Sequence, residues 1–287
     1  MKYIMLFIPA IGWGLMPLVV SSIKKSNVYN QIAGTVIGAL VVAVIAWLVT
    51  RSEINANIFI WAAAAGMAWV VGQVGQYISY SRIGVSETMP ISTGLQLIGV
   101  PLVGVLAFGE WSSPQAKLYG FIGIIILIIG VGLTSITDQG TSEGKKRNQV
   151  STIILLVLTT LGYIVSSSIP KIVKGSSTSI LIAQTIGMVV AVAIYTVVTG
   201  HGHTWVEKPT MQSIPAGFLF GIGTLSYTTA VQLNGVNLAF VFSQLCVVIS
   251  TIGGLVFLHE AKTKRGLIFT IVGLILIIAG AILTTLF

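Results

Sequence analysis

Long apolar runs separated by short polar breaks repeat along the whole of this chain. A helix needs roughly 20 mainly apolar residues to cross a bilayer. Runs of that kind fall at 3–22, 30–50, 57–80, 86–108, 116–136, 151–170, 178–199, 212–232, 236–258 and 266–286. The breaks are polar and compact, as in Lys24-Lys25-Ser26-Asn27, Arg51-Ser52-Glu53 and Lys262-Thr263-Lys264-Arg265. The first run continues past the length of a secretory leader, and no small-x-small cleavage pattern precedes Lys24, so it reads as a retained span. The pattern predicts an all-α membrane protein of ten transmembrane helices.

The longest polar stretch, 137–150 (TDQGTSEGKKRNQV), lies near the middle and has the composition of a flexible linker. It divides the chain into a first five-helix repeat (1–136), a central linker (137–150) and a second five-helix repeat (151–287). A shift of about 150 residues superposes features of separate helices. Gly12-Trp13 falls on Gly162-Tyr163, Gly104 on Gly254, Glu110 on Glu260, Gly123 and Gly130 on Gly273 and Gly280, and Leu133-Thr134 on Leu283-Thr284. Five is odd, so the second repeat enters the membrane from the opposite side. A 5+5 inverted repeat with a site between its halves is an architecture of secondary transporters.

Composition agrees with lipid as the main solvent. Of 287 residues, 55% are hydrophobic and 8% charged, with a mean hydropathy of +0.98; a water-soluble domain carries about 25% charged residues. The net charge of +8 comes from basic residues scattered between the apolar runs, which suits positive loops beside anionic lipid rather than nucleic acid. Loops after spans 1, 3, 5, 7 and 9 hold ten Lys and Arg residues against five on the other side. That bias puts both termini outside. The single cysteine, Cys246, excludes an internal disulfide framework and reads as a small buried residue.

Polar side chains inside spans usually turn into the bundle. In span 3, Gln73, Gln76, Tyr77 and Tyr80 follow an i, i+3, i+4, i+7 spacing and so share one helix face. Such a stripe of amides and phenols lines a hydrated path, or else it glues helices together by hydrogen bonds. Span 4 adds Ser92, Thr93 and Gln96, span 7 Gln184, span 8 Tyr227, and span 9 Ser243 and Gln244. Trp13 and Tyr163 stand beside glycines in the first helix of each half, where a ring offers a stacking platform. These residues make up the candidate substrate site: Trp13, Gln73, Gln76, Tyr77, Tyr80, Ser92, Gln96, Tyr163, Gln184, Tyr227 and Gln244.

No Asp, Lys, Arg or His lies near a span centre. A carrier of cations or of organic anions would need such a group. Amides, hydroxyls and rings suit a neutral, hydroxyl-rich solute such as a small sugar. Carboxylates sit only at span ends. Glu87 is the candidate for proton coupling, since burial raises a carboxyl pKa; a first-turn acid is also simply favoured by the helix dipole. Glu110 and Glu260 read as structural. His201-Gly202-His203 is too sparse for a metal site, no nucleophile–base set or HExxH pattern appears, and neither cofactor nor metal is expected.

The segments Gly-Trp-Gly-Leu-Met-Pro (12–17) and Gly-Gln-Val-Gly-Gln-Tyr (72–77) resemble the bacterial glucose/ribose uptake family, part of the drug/metabolite transporter superfamily. Gly109-Glu110 and His259-Glu260, each closing a span before a Gly-rich one, resemble that superfamily too. The resemblance implies ten helices as a 5+5 inverted repeat and uptake of a monosaccharide, glucose above all, with or without a proton. It also implies cytoplasmic termini, opposite to the charge bias. The alternatives are an exporter of amphipathic metabolites or drugs and a non-transporting membrane sensor or assembly partner.

Overall fold

The computed structural model describes residues 4–109, 111–136, 143–168, 173, 175–234, 239, 242–260 and 262–285. The described elements are helical: α1 (Ile4–Ser22), α2 (Val28–Thr50), α3 (Ala56–Ile83), α4 (Val85–Phe108), α5 (Pro114–Thr134), α6 (Glu143–Ser168), α7 (Ser177–Val198), α8 (Lys208–Asn234), α9 (Cys246–Val256) and α10 (Lys264–Thr285), with a short 3-10 turn at Gly202–Val206. Eight of them, all but α8 and α9, have a stretch long and apolar enough to cross a membrane. Large apolar side chains such as Ile45, Val49, Ile125, Leu158, Val198 and Ile268 lie exposed on the outside of the bundle, where acyl chains would cover them.

Polar breaks end the helices by capping. The Asn27 side chain accepts from the Tyr29 and Asn30 amides while Asn30 answers Asn27, a reciprocal box that starts α2. Asn55 caps α3 through the Ile58 amide, and Ser113 caps α5 ahead of Pro114 at its first turn. Arg51 and Gly109 close α2 and α4 in the left-handed conformation.

Two sequence expectations shift. Helix α6 begins at Glu143, so the second half of the segment expected to be a linker is helical. The reason is visible at Gln149, which is buried and donates to the Ser135 carbonyl at 2.9 Å and to Glu87. The run at 236–258 does not form one long helix: Phe242 and Ser243 are helical, Gln244 and Leu245 form a turn, and α9 is only 11 residues long. The expected linker segment 137–142, Pro170, Lys171, Lys174 and Glu110 lie outside the described residues.

Several of the larger helix contacts keep their pattern when a helix is exchanged with the one five places on, whereas the α4–α5 contact has no comparable α9–α10 counterpart among the described residues. Helix α1 packs on α8 and α9, as α6 packs on α3 and α4; α2 packs on α8, as α7 packs on α3; and α5 packs on α10. Glycines make these contacts close. A methyl at Gly12 would meet the Leu219 carbonyl oxygen at 2.6 Å, and one at Gly162 the Ala68 carbonyl oxygen at 2.4 Å. The α5–α10 seam is antiparallel, with Gly123 against Gly280 and Gly130 against Gly273, each within 2.9 Å of the other's backbone if given a Cβ. Helices associate in lipid chiefly through such close approach, because burial of apolar surface gives no net drive there.

Candidate functional site

The centre of the bundle is where α3, α4 and α6 meet. Gly72 lets the Tyr163 ring lie flat against α3, since a Cβ there would sit 2.6 Å from the ring, and Gly75 does the same for Thr159. The Tyr163 hydroxyl then lies 2.9 Å from Gln73 Oε1 and 3.2 Å from Gln76 Oε1. Gln73 Nε2 donates to Gln76 Oε1 at 3.1 Å, and Gln76 Nε2 donates to Ser92 Oγ at 2.9 Å. Gln96 closes the chain, its Nε2 lying 3.3 Å from the Ser92 carbonyl and 3.4 Å from Ser92 Oγ. Gln73, Gln76, Ser92 and Tyr163 are all buried. Four side chains from three helices thus satisfy one another in a closed polar knot, and low local polarity makes each bond count.

The rest of the predicted stripe turns elsewhere. The Tyr77 hydroxyl bonds Thr35 Oγ1 of α2 at 2.8 Å, and the Tyr80 hydroxyl donates to the Met89 sulfur at 3.1 Å. Trp13 packs on Tyr227 of α8, with ring centroids 5.5 Å apart and tilted by 45°. Its Nε1 is buried and has no hydrogen-bond partner among the described residues. Gly223 gives it room, because a Cβ there would lie 2.9 Å from Nε1. Gln184 is half-buried on α7, where its backbone carbonyl faces Gly66, and Gln244 donates to its neighbour Ser243. Neither joins the knot. The structure brings Gln73, Gln76, Ser92, Gln96 and Tyr163 together, places Trp13 with Tyr227, and leaves Gln184 and Gln244 apart.

Sequence reasoning missed Trp69. Its ring stands edge-on to Tyr163 at 6.3 Å and tilts against Phe220 at 4.6 Å, so it joins the knot to α8. The signal was present: Trp69 precedes Gln73 by one helical turn on the same face. Thr35 was missed as the partner of Tyr77, and nothing in a lone threonine 42 residues upstream announces it.

Carboxylates border this region at one face of the bundle, the one carrying Lys24, Lys25, Arg82, Lys208 and Lys262. Glu87, in the first turn of α4, accepts from Gln149 and so ties α4 to α6. Glu260, from the turn between α9 and α10, accepts from the Val85 amide at 2.6 Å and the Ser86 amide at 2.7 Å. At the same face, Ser22, Ile23, Lys24, Lys25, Lys208, Pro209 and Gln212 line a cleft of about 720 Å³ that none of the predicted site residues reaches. No cluster of three or more His, Cys, Asp or Glu side chains suited to a metal ion occurs among the described residues.

Residues 4–287 match the family model described as sugar transport protein. The chain is 69% identical to a putative sugar uptake protein of Lactobacillus johnsonii, with 100% of each chain covered. It is 37% identical to the glucose uptake protein GlcU of Bacillus subtilis, covering 98% of this chain and 97% of the relative. It is 35% identical to the putative ribose uptake protein RbsU of Latilactobacillus sakei, covering 96% and 95%. A crystal structure at 14% identity superposes with a TM-score of 0.65 over 99% of this chain and 97% of its own, a likeness of fold alone.

Proposed function

This chain belongs to the sugar transport protein family, as a multi-pass membrane protein, and from that premise we propose that it takes up a monosaccharide, glucose first among candidates, by alternating access between two inverted five-helix halves. It is a carrier and not an enzyme. The single observation that carries the site assignment is the bonding of Tyr163, from the second half, to Gln73 and Gln76 of the first. A polar link across the two halves at bilayer depth is where an uncharged, hydroxyl-bearing solute finds partners of its own kind. The pattern of packing that survives exchange of the halves supports the 5+5 repeat.

In this reading the buried knot is the occluded arrangement. Each amide and hydroxyl has a partner, so a sugar hydroxyl enters by replacing one protein bond with another, an exchange of small net free energy. Trp13, Tyr227, Tyr77 and Tyr80 supply ring surface for the apolar C–H face of the sugar. Absence of charge near the span centres excludes ions as cargo on the same argument. Where uptake is coupled to a proton, Glu87 carries it. The glucose name of one relative and the ribose name of another support a monosaccharide; the order of preference between them is set by experiment.

The test is uptake of labelled glucose into proteoliposomes, with ribose as competitor and with and without a collapsed proton gradient. Saturable glucose uptake is expected. Absence of saturable uptake for every monosaccharide tried overturns the reading.

A further inference from the structure

Helix α4 starts without a side-chain cap of its own. Its N-cap, Gly84, has φ +82° and no side chain to offer. The orphaned first-turn amides of Val85 and Ser86 are instead taken by the two oxygens of Glu260, 175 and 174 residues further on, at 2.6 and 2.7 Å. A carboxylate on a helix N-terminus makes charge-assisted bonds and meets the positive end of the helix dipole. Two glycines clear the seat. A Cβ at Gly84 would lie 2.8 Å from the Glu260 carboxyl carbon, and one at Gly254 would lie 2.8 Å from Glu260 Oε2 and 2.9 Å from the Ser86 amide nitrogen.

We propose that Glu260 is a latch between the halves: seated on α4, it holds the basic face of the carrier shut, and it releases each time the path opens to that face. The assignment rests on the alternating-access reading above. Glu260 belongs to the turn joining α9 to α10, and α4 to the other half, so its two bonds span the boundary that must part. Helix α4 also carries Ser92 and Gln96, so the same movement that frees its first turn loosens the knot around Gln76. Glu260 touches no substrate; it acts through α4 and is a positioning residue.

Cys246, the sole thiol of the chain and buried at the start of α9, serves as the reporter. The full chain in nanodiscs is treated with a polar maleimide, and the rate of Cys246 modification is compared with thermal melting. Glu260→Gln keeps the shape and loses the charge. Gly254→Ala keeps the carboxylate and crowds it out of its seat. Each is expected to modify about tenfold faster than the parent while still melting cooperatively, the shift in open population that follows from weakening two charge-assisted bonds. A cap that serves folding alone lowers the melting temperature and leaves the folded protein reacting at the parental rate, which overturns the proposal. If one variant fails to fold, the other decides; failure of both also overturns it. The maleimide rates need no sugar, so a parent protein that moves no monosaccharide sinks the transport reading while leaving the latch to stand or fall on its own measurement.

Discussion

Helices α1 and α6, the first of each proposed half, each present an aromatic ring to a glycine of another helix, and the two rings meet different fates. Tyr163 of α6 lies against Gly72 and finds two amide oxygens. Trp13 of α1 lies against Gly223 and finds none, its indole nitrogen buried and unbonded among the described residues. The backbone solves one packing problem twice. In the register that sets Gly223 in the place of Gly72, however, the amides of the Tyr163 side are replaced: Gln73 falls on Thr224, whose hydroxyl donates to the Phe220 carbonyl of its own helix, and Gln76 falls on Tyr227. The packing is alike at these two places, whereas the amide pair stands beside Tyr163. On the proposed carrier reading that split suits an asymmetric solute, because two equal polar knots would offer it two competing seats.

Six substitutions, in four steps of size, sharpen or break this contrast. The largest effect is expected at Gln76, which bonds Tyr163, Gln73 and Ser92 at once. Gln76→Ala should lower sugar uptake on the order of tenfold or more, the loss that follows when a buried polar partner is removed, with insertion into the membrane retained. Thr224→Ala, at the place that matches Gln73, should leave uptake within about twofold of the parent, since its hydroxyl bonds its own helix; an equal loss at both would abolish the distinction. Next in size come Gly12→Ala and Gly162→Ala, where a new methyl meets a backbone oxygen that has no room to move. Each should cost about 1–3 kcal/mol of stability, as overpacking does, and unequal losses in thermal melts would break the packing equivalence. Tyr163→Phe comes third. Removing its hydroxyl leaves Gln73 Oε1 short of a donor, while Gln76 Oε1 still accepts from Gln73, for about 1–2 kcal/mol of destabilisation. The smallest effect carries the opposite sign. Trp13→Phe removes a donor with no partner and should leave the melting temperature unchanged or raise it by the equivalent of about 1 kcal/mol. A drop comparable to that of Tyr163→Phe would mean that the ring packing lost against Tyr227 outweighs the relief of the unpaired N–H.

How far sequence reading reached follows from the range of each interaction. The spans were legible because lipid imposes a length, and Ile4–Ser22, Val28–Thr50 and Pro114–Thr134 fall close to the expected limits. The short α9 was not, since Gln244 and Leu245 form a turn within a run that is apolar on both sides. Gln73 and Gln76 were legible as a pair because they are three residues apart on one helix. That Tyr163 completes the pair depends on Gly72, whose role is to be missing a side chain. The seat of Glu260 is beyond any periodicity: nothing local to His259-Glu260 points to the amides of Val85 and Ser86. Glu87 was singled out for its carboxyl, and the structure adds that Gln149, in a stretch expected to be a linker, donates to it.

The glycine seam between α5 and α10 has a consequence for how the protein is made. Helix α5 presents Gly123 and Gly130 to a partner that begins only at Lys264. At elongation rates of about 5–20 residues per second, its notched face waits on the order of ten seconds beside the translocon before α10 emerges to fill it. Throughout that interval the nascent chain carries an open groove sized for a bare helix backbone, and whatever shields it then belongs to the biogenesis of the protein rather than to its finished form.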